Sequence, residues 1–162
     1  MYLVTGGAGF FGEVLIKKLL NNGAQVKSLD LNTPKIIHKN LQVYNGDIRD
    51  ESFVNEVLKE VDIVHHNIAQ VPLNKNKNTL WSVNYDGTKN ILNASINNNV
   101  THFVYTSSSA VYGIPKNNPI YESSSKNPIE EYGKAKLAGE TLCHEYEVRG
   151  LNCSIIRPRT IL

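Results

Sequence analysis

Thiols are scarce in this chain: Cys143 and Cys153 are the only cysteines among 162 residues, and neither stands at a metal-ligand spacing. A thiolate metal centre is therefore excluded, and buried, reduced thiols in a cytoplasmic protein are expected. Long apolar runs are missing too, since none approaches the roughly 20 residues that would span a bilayer. Met1-Tyr2-Leu3-Val4 passes straight into a glycine cluster, without the basic stretch of a secretory leader. No excess of one charge exists either. With 17 Lys and Arg against 15 Asp and Glu, the formal net charge is +2, which gives no electrostatic reason to expect nucleic acid or an acidic membrane as partner. No internal repeat and no interdomain linker interrupts residues 1–162, so one domain is expected.

What is present is a balanced globular composition, 41% apolar and 20% charged. Short β-rich runs alternate with longer helical stretches, the pattern of a parallel sheet covered by helices. Strands are predicted over residues 2–5, 25–30, 41–44, 62–66, 102–106 and 152–157, and helices over 11–21, 51–59, 80–98 and 131–147. Ile63-Val64 and Phe103-Val104-Tyr105 are continuous apolar runs, as strands buried on both faces require. Phe11, Val14, Leu15 and Leu19 are expected to form the apolar stripe of the first helix, with Asn22-Gly23 as its stop. The alternation implies right-handed crossovers and an α/β fold, a doubly wound parallel sheet of six strands with flanking helices. Asn74-Lys75-Asn76-Lys77-Asn78 and Asn97-Asn98-Asn99 read as solvated loop and helix-end surface.

The glycine cluster between the first strand and first helix, Thr5-Gly6-Gly7-Ala8-Gly9-Phe10-Phe11-Gly12, fits G-x-G-x-x-G from Gly7 and G-x-x-G-x-x-G from Gly6. One such glycine permits the tight turn, another lets backbone touch a pyrophosphate, and a third lets the helix pack close to the strand. The pyrophosphate then meets unpaired N–H groups at the positive end of the helix. Gly6, Gly9, Phe10, Phe11 and Gly12 are the candidate phosphate-binding residues. An acidic residue, Asp30, follows at the end of the second strand, where it can accept hydrogen bonds from ribose hydroxyls and repel a 2′-phosphate. No Arg follows it, so NAD is favoured over NADP, although Lys35 lies nearby in sequence. Asp30 could alternatively serve a turn before Asn32-Thr33-Pro34. Asp47 and Ile48 could bind and pack an adenine, or Asp47 could cap the helix at Glu51.

These residues carry a family likeness. Val4-Thr5-Gly6-Gly7-Ala8-Gly9-Phe10-Phe11-Gly12 resembles the opening of the extended short-chain dehydrogenases, the nucleotide-sugar epimerases and dehydratases. Asp62-Ile63-Val64-His65-His66-Asn67-Ile68-Ala69 is similar to the family's fourth-strand motif, and Asn84-Tyr85-Asp86-Gly87-Thr88-Lys89-Asn90 to its N-x-x-G-T-x-N helix. Tyr105-Thr106-Ser107-Ser108-Ser109-Ala110-Val111-Tyr112-Gly113 looks like its fifth strand and serine loop, and Tyr132-Gly133-Lys134-Ala135-Lys136 matches Y-x-x-x-K. The resemblance implies a Rossmann fold, NAD as cofactor, a nucleotide sugar as small-molecule substrate, and Ala69, Asn84 and Arg157 near the cofactor. Ile68 in place of alanine and Asn67 in place of an apolar residue are departures. His66 is expected to be a strand-end residue near the cofactor rather than an acid or base.

Residues four apart on a helix share a face, so Tyr132 and Lys136 can point into one site. A phenol titrates near 10, and a nearby ammonium together with a positive nicotinamide ring would move it toward the working range. The resemblance implies that Tyr132 takes the proton of a substrate hydroxyl, that Lys136 holds ribose hydroxyls, and that Ser108 donates to the substrate oxygen. Ser107 and Ser109 lie one residue either side and leave that register open. Dehydratases of the family carry acidic residues after the catalytic Ser/Thr. Here Ser109-Ala110 follows, which favours epimerase or dehydrogenase chemistry. A hydroxysteroid- or flavonoid-type dehydrogenase and a non-catalytic NAD-binding module remain alternatives. The chain ends at Leu162, so the resemblance implies that a C-terminal substrate-binding region is missing and that the chain is part of a longer enzyme. Enzymes of this likeness pair as homodimers through the helices predicted at 80–98 and 131–147; Ile91, Leu92, Leu137 and Leu142 are available for that packing or for the core.

Overall fold

The computed structural model describes residues 1–71, 76–115 and 117–159. Six strands, β1 (Tyr2–Thr5), β2 (Val26–Asp30), β3 (Leu41–Asn45), β4 (Ile63–His66), β5 (His102–Thr106) and β6 (Cys153–Ile156), pair in parallel in the order β3-β2-β1-β4-β5-β6. Among the described residues, five α-helices join them: α1 (Phe10–Asn21), α2 (Glu51–Val57), α3 (Lys77–Trp81), α4 (Thr88–Asn97) and α5 (Glu131–Val148). This is the doubly wound Rossmann arrangement. Successive residues of a strand face opposite sides of a sheet. Leu3 accordingly packs with Val54, Ile91, Leu92 and Leu142 on one face, and Val4 with Ile16 and Leu20 on the other. The chain runs outward from β1 in one direction and from β4 in the other, so a crevice opens between these strands at their carboxyl ends.

Several expectations are corrected. Val14 is 51% exposed, and the stripe that α1 buries is Gly12, Ile16 and Leu20, spaced four apart. Phe11, Leu15 and Leu19 flank it half-buried, because Gly12 must face β1 for the helix to approach. The predicted helix over 80–98 begins three residues earlier, where the Asn76 side chain accepts from the Thr79 N–H, and it contains a π-turn at Ser82–Gly87 between α3 and α4. Within that turn Gly87 packs on Ile48, where a Cβ would stand 2.4 Å from Ile48 Cδ1. Periodicity alone cannot register such a widened turn. Ile91, Leu92 and Leu142 belong to the core, which answers their availability for an interface; Leu137 is half-buried. Asn74 and Lys75 lie outside the described residues, whereas Lys77 and Asn78 are helical. Asn97 ends α4 and Asn98 follows as its C-cap, the helix-end surface expected. Cys143 is buried and Cys153 partly so, both as free thiols.

Candidate active site

A cleft of about 710 Å³ runs along the carboxyl ends of the strands, a volume suited to a cofactor-sized molecule. Each of the six strands contributes the segment at its end. Gly6, Gly9, Phe10, Phe11 and Gly12 follow β1; Asp30, Leu31 and Asn32 close β2; residues 46–49, 67–71 and 106–108 serve β3, β4 and β5; Pro158 and Arg159 follow β6. Tyr132 and Lys136 enter from α5.

The glycine loop fits a phosphate-bearing cofactor. Gly6 adopts φ +71°, which side chains disfavour, and a Cβ on Gly12 would stand 2.0 Å from the Gly6 carbonyl oxygen. Gly9 caps α1 without a side-chain acceptor, and the first-turn residues Phe10, Phe11 and Gly12 line the cleft. Gly7 does not line the cleft and is buried against Ser28, whereas Gly6, Gly9 and Gly12 line it. The Asp30 carboxylate accepts from the Ala8 N–H at 3.2 Å and the Asn32 N–H at 3.0 Å. Two bonds leave part of a carboxylate's accepting capacity for ribose hydroxyls. Asp30 thus makes turn bonds and lines the cleft at once.

Asp47 also lines the cleft, but it does not cap α2. Asp50 is the cap, accepting from the Phe53 N–H at 3.0 Å. Asp47 is held by Arg49, whose Nε reaches its two oxygens at 2.9 and 3.0 Å, and the paired guanidinium keeps its carboxyl below the usual carboxylate range. Ile48, largely buried, and Ala69 both line the cleft.

At the other end Ser108, Tyr132 and Lys136 converge on the same cleft. The three serines are placed differently. Ser107 is buried and donates to Glu140 Oε1 at 2.7 Å, Ser109 opens a 3₁₀ turn, and Ser108 is the hydroxyl beside Tyr132. Lys136 is fully buried, and its Nζ donates to the Thr106 carbonyl at 2.7 Å and stands 4.9 Å from the Tyr105 ring centre. Burial lowers its pKa to about 8. Tyr132 is half-buried in the same cleft. Burial pushes that phenol up, the neighbouring Ser108 hydroxyl holds it back only in part, and the ammonium is directed at Thr106 instead.

Two predicted cofactor residues stand behind the wall. Asn84, at the π-turn, accepts from the Gln70 N–H at 2.7 Å and donates to the Gln70 carbonyl at 3.0 Å, so both amide groups clamp the loop after β4. Arg157 pairs with buried Glu140 through Nε at 2.7 Å and Nη2 at 3.0 Å, and donates from Nη1 to Tyr112 Oη at 3.0 Å. Its neighbours Pro158 and Arg159 reach the cleft instead.

His66 is fully buried between Thr5 at 2.8 Å and Thr88 at 3.0 Å. The Thr88 hydroxyl donates to the Asn84 carbonyl at 2.8 Å, which places the ring proton on Nε2 and leaves Nδ1 to accept from Thr5. Burial depresses its pKa to about 3, so it is neutral and structural. Asn67, the departure from the family pattern, accepts from the Thr106 hydroxyl at 2.7 Å and joins the ends of β4 and β5 at the cleft. Glu140 was not anticipated. It stands four residues past Lys136, and that spacing was the available signal.

A family model described as "NAD dependent epimerase/dehydratase family" matches residues 2–162. An uncharacterized protein of Sinorhizobium fredii is 52% identical over 161 residues, which is 99% of this chain and 41% of that protein. A UDP-glucose 4-epimerase of Thermotoga maritima, solved with UDP-glucose, superposes with a TM-score of 0.90 at 29% identity, covering 96% of this chain and 54% of that one. The Bordetella bronchiseptica enzyme WbmH, solved with NAD⁺, superposes with a TM-score of 0.88 at 27% identity, covering 99% of this chain and 56% of that one. The chain thus spans about half the length of the proteins it matches.

Proposed function

The chain belongs to the NAD-dependent epimerase/dehydratase family, and from that premise we propose that it is the NAD-binding part of a nucleotide-sugar epimerase. The observation that carries the reading is the meeting of Ser108, Tyr132 and Lys136 in the same cleft as Gly6, Gly9, Gly12 and Asp30. Asp30 would hold the adenosine ribose, the N-terminus of α1 the pyrophosphate, and Lys136 the nicotinamide ribose. NAD bound there supplies the hydride acceptor and a positive ring charge. Tyr132 accepts the proton of the sugar hydroxyl, and Ser108 donates a hydrogen bond to the same oxygen as charge gathers on it. Burial of Tyr132 means that its proton leaves only when positive charge faces the phenol.

Epimerisation is favoured over dehydration because elimination needs an acid beside the leaving hydroxyl. Among the described residues lining the cleft, the carboxylates are Asp30 and Asp47, both at the adenosine end. A separate C-terminal part would supply most sugar contacts, as the matched proteins are about twice as long.

Calorimetric titration of the chain with NAD and NADP, beside an Asp30→Ala variant, tests the cofactor half. Selective NAD binding is expected, with the substitution weakening NAD by about tenfold and narrowing the preference. Equal affinity for both cofactors in the unsubstituted chain would refute the role of Asp30.

A further inference from the structure

We propose that Glu140 is a positioning residue for the catalytic end of the cleft, one buried carboxylate that holds Ser108 and Tyr132 in place by fixing the three segments around them. The proposal rests on the reading of Ser108, Tyr132 and Lys136 given above.

Glu140 lies on α5, one turn past Lys136 and two past Tyr132, with 1% of its surface exposed. Its Oε1 accepts from Ser107 Oγ at 2.7 Å and from Arg157 Nε at 2.7 Å. Its Oε2 accepts from Arg157 Nη2 at 3.0 Å and pairs with Lys126 Nζ at 3.1 Å. About four acceptor positions exist on a carboxylate, so this one is saturated. It does not line the cleft, and nothing remains with which to exchange a proton with substrate. Its influence must pass through its donors.

Those donors come from the three segments that frame the catalytic set. Ser107 immediately precedes Ser108. Lys126 lies in the stretch leading to Tyr132. Arg157 immediately precedes Pro158 and Arg159, which line the cleft. The fork-shaped pair with Arg157 fixes direction as well as distance, and Arg157 carries the constraint on to Tyr112 at the end of the serine loop. A buried ion network of this kind contributes little net stability, because attraction mainly offsets desolvation. What it does supply is geometry: the serine loop, the approach to α5 and the segment after β6 cannot shift independently.

The test compares the unsubstituted chain with Glu140→Gln, Glu140→Asp and Ser107→Ala, using calorimetric NAD titration and amide NMR of ¹⁵N-labelled protein. In Glu140→Gln an amide donor is turned toward Arg157 or Lys126. NAD affinity should change by less than about fivefold, and the NAD-induced shifts at Gly9 and Leu31 should persist. The NAD-induced shifts at Ser108, Tyr132 and Lys136 should be largely lost, with partial recovery in Glu140→Asp and a loss confined to Ser108 in Ser107→Ala. Retention of the Ser108 and Tyr132 responses in Glu140→Gln would overturn the proposal. So would a loss in equal proportion at Gly9, since that would mark Glu140 as support for the whole fold. If Glu140→Gln does not fold, Ser107→Ala, which removes a single bond, carries the comparison. Absence of any NAD response in the unsubstituted chain would count against the functional reading. The ligand-free shifts of Ser108 and Tyr132 would then decide the positioning role, with unchanged positions in Ser107→Ala overturning it.

Discussion

The two ends of the cleft are built on different principles. Around β1 and β2 the site is mostly backbone: glycines that admit close approach, free N–H groups at the start of α1, and one carboxylate held by two backbone amides. Around β5, α5 and β6 it is mostly side chain, with a buried lysine, a half-buried tyrosine and a saturated glutamate drawn from remote parts of the chain. The first end depends on shape, and its fold and its function should fail together. The second end buries charge and titratable groups that a protein would be more stable without, so there stability and function should part company.

Acid should have the largest effect, and it acts where the two ends meet. His66 lies on β4 beside the switch point, neutral and buried, with a pKa near 3 against about 6.5 when unfolded. Below 6.5 the unfolded chain binds a proton that the folded chain refuses. Stability is therefore fully present above 6.5 and falls as pH drops toward 3, by at most about 5 kcal/mol from this one group. Urea unfolding at a series of pH values should show the loss, and His66→Gln should flatten it. An unchanged acid limb in the variant would remove His66 from the account.

Gly12→Ala is the next largest and breaks the backbone end. The added methyl would press on the Gly6 carbonyl at 2.0 Å, so α1 must move away from β1. A cost of about 3 kcal/mol is expected, at the upper end for overpacking, with NAD binding lost as well. A variant of undiminished melting temperature and NAD affinity would show that the loop is looser than its glycines suggest.

The contrast also explains what could be read from the sequence. Gly6, Gly9, Gly12 and Asp30 were legible because their work is done by neighbours in the chain, and the six strands because their apolar runs have the right lengths. The triad was legible through spacing and family resemblance. The partners of Arg157 and Asn84, Glu140 and Gln70, were not legible because they lie on other elements of the chain. Of the two alternatives open for Asp47, the helix cap falls to Asp50, because Arg49 claims the Asp47 carboxylate. Lys136 could be located, but neither its burial nor that of Tyr132, which pushes the phenol up within the chain's own surroundings, is visible in the spacing.

A smaller and more telling effect is expected at Lys136. Its ammonium is charged in both states below about 8, and the folded state bears the desolvation. Between about 8 and 10.5 the folded chain releases the proton first, so this group's contribution to stability rises with pH there. Lys136→Met removes the buried charge at the loss of one hydrogen bond to Thr106, and a net gain of about 1–2 kcal/mol near neutral pH is expected. NAD affinity should fall at the same time. Gly12→Ala loses both properties together, whereas Lys136→Met should exchange one for the other. A Lys136→Met chain that is less stable than the original would show that the two ends do not differ in this respect.

Asp50→Ala gives the smallest effect and calibrates the rest. Asp50 caps α2 from an exposed position and does not line the cleft. Losing the cap should cost about 1 kcal/mol with NAD affinity unaltered. Asp47, three residues earlier, is tied to Arg49 and cannot swing in to replace it. A loss of NAD affinity in Asp50→Ala would mean that the start of α2 holds the Asp47–Ile48 wall in place. The backbone-built end of the cleft would then extend past β2 to β3.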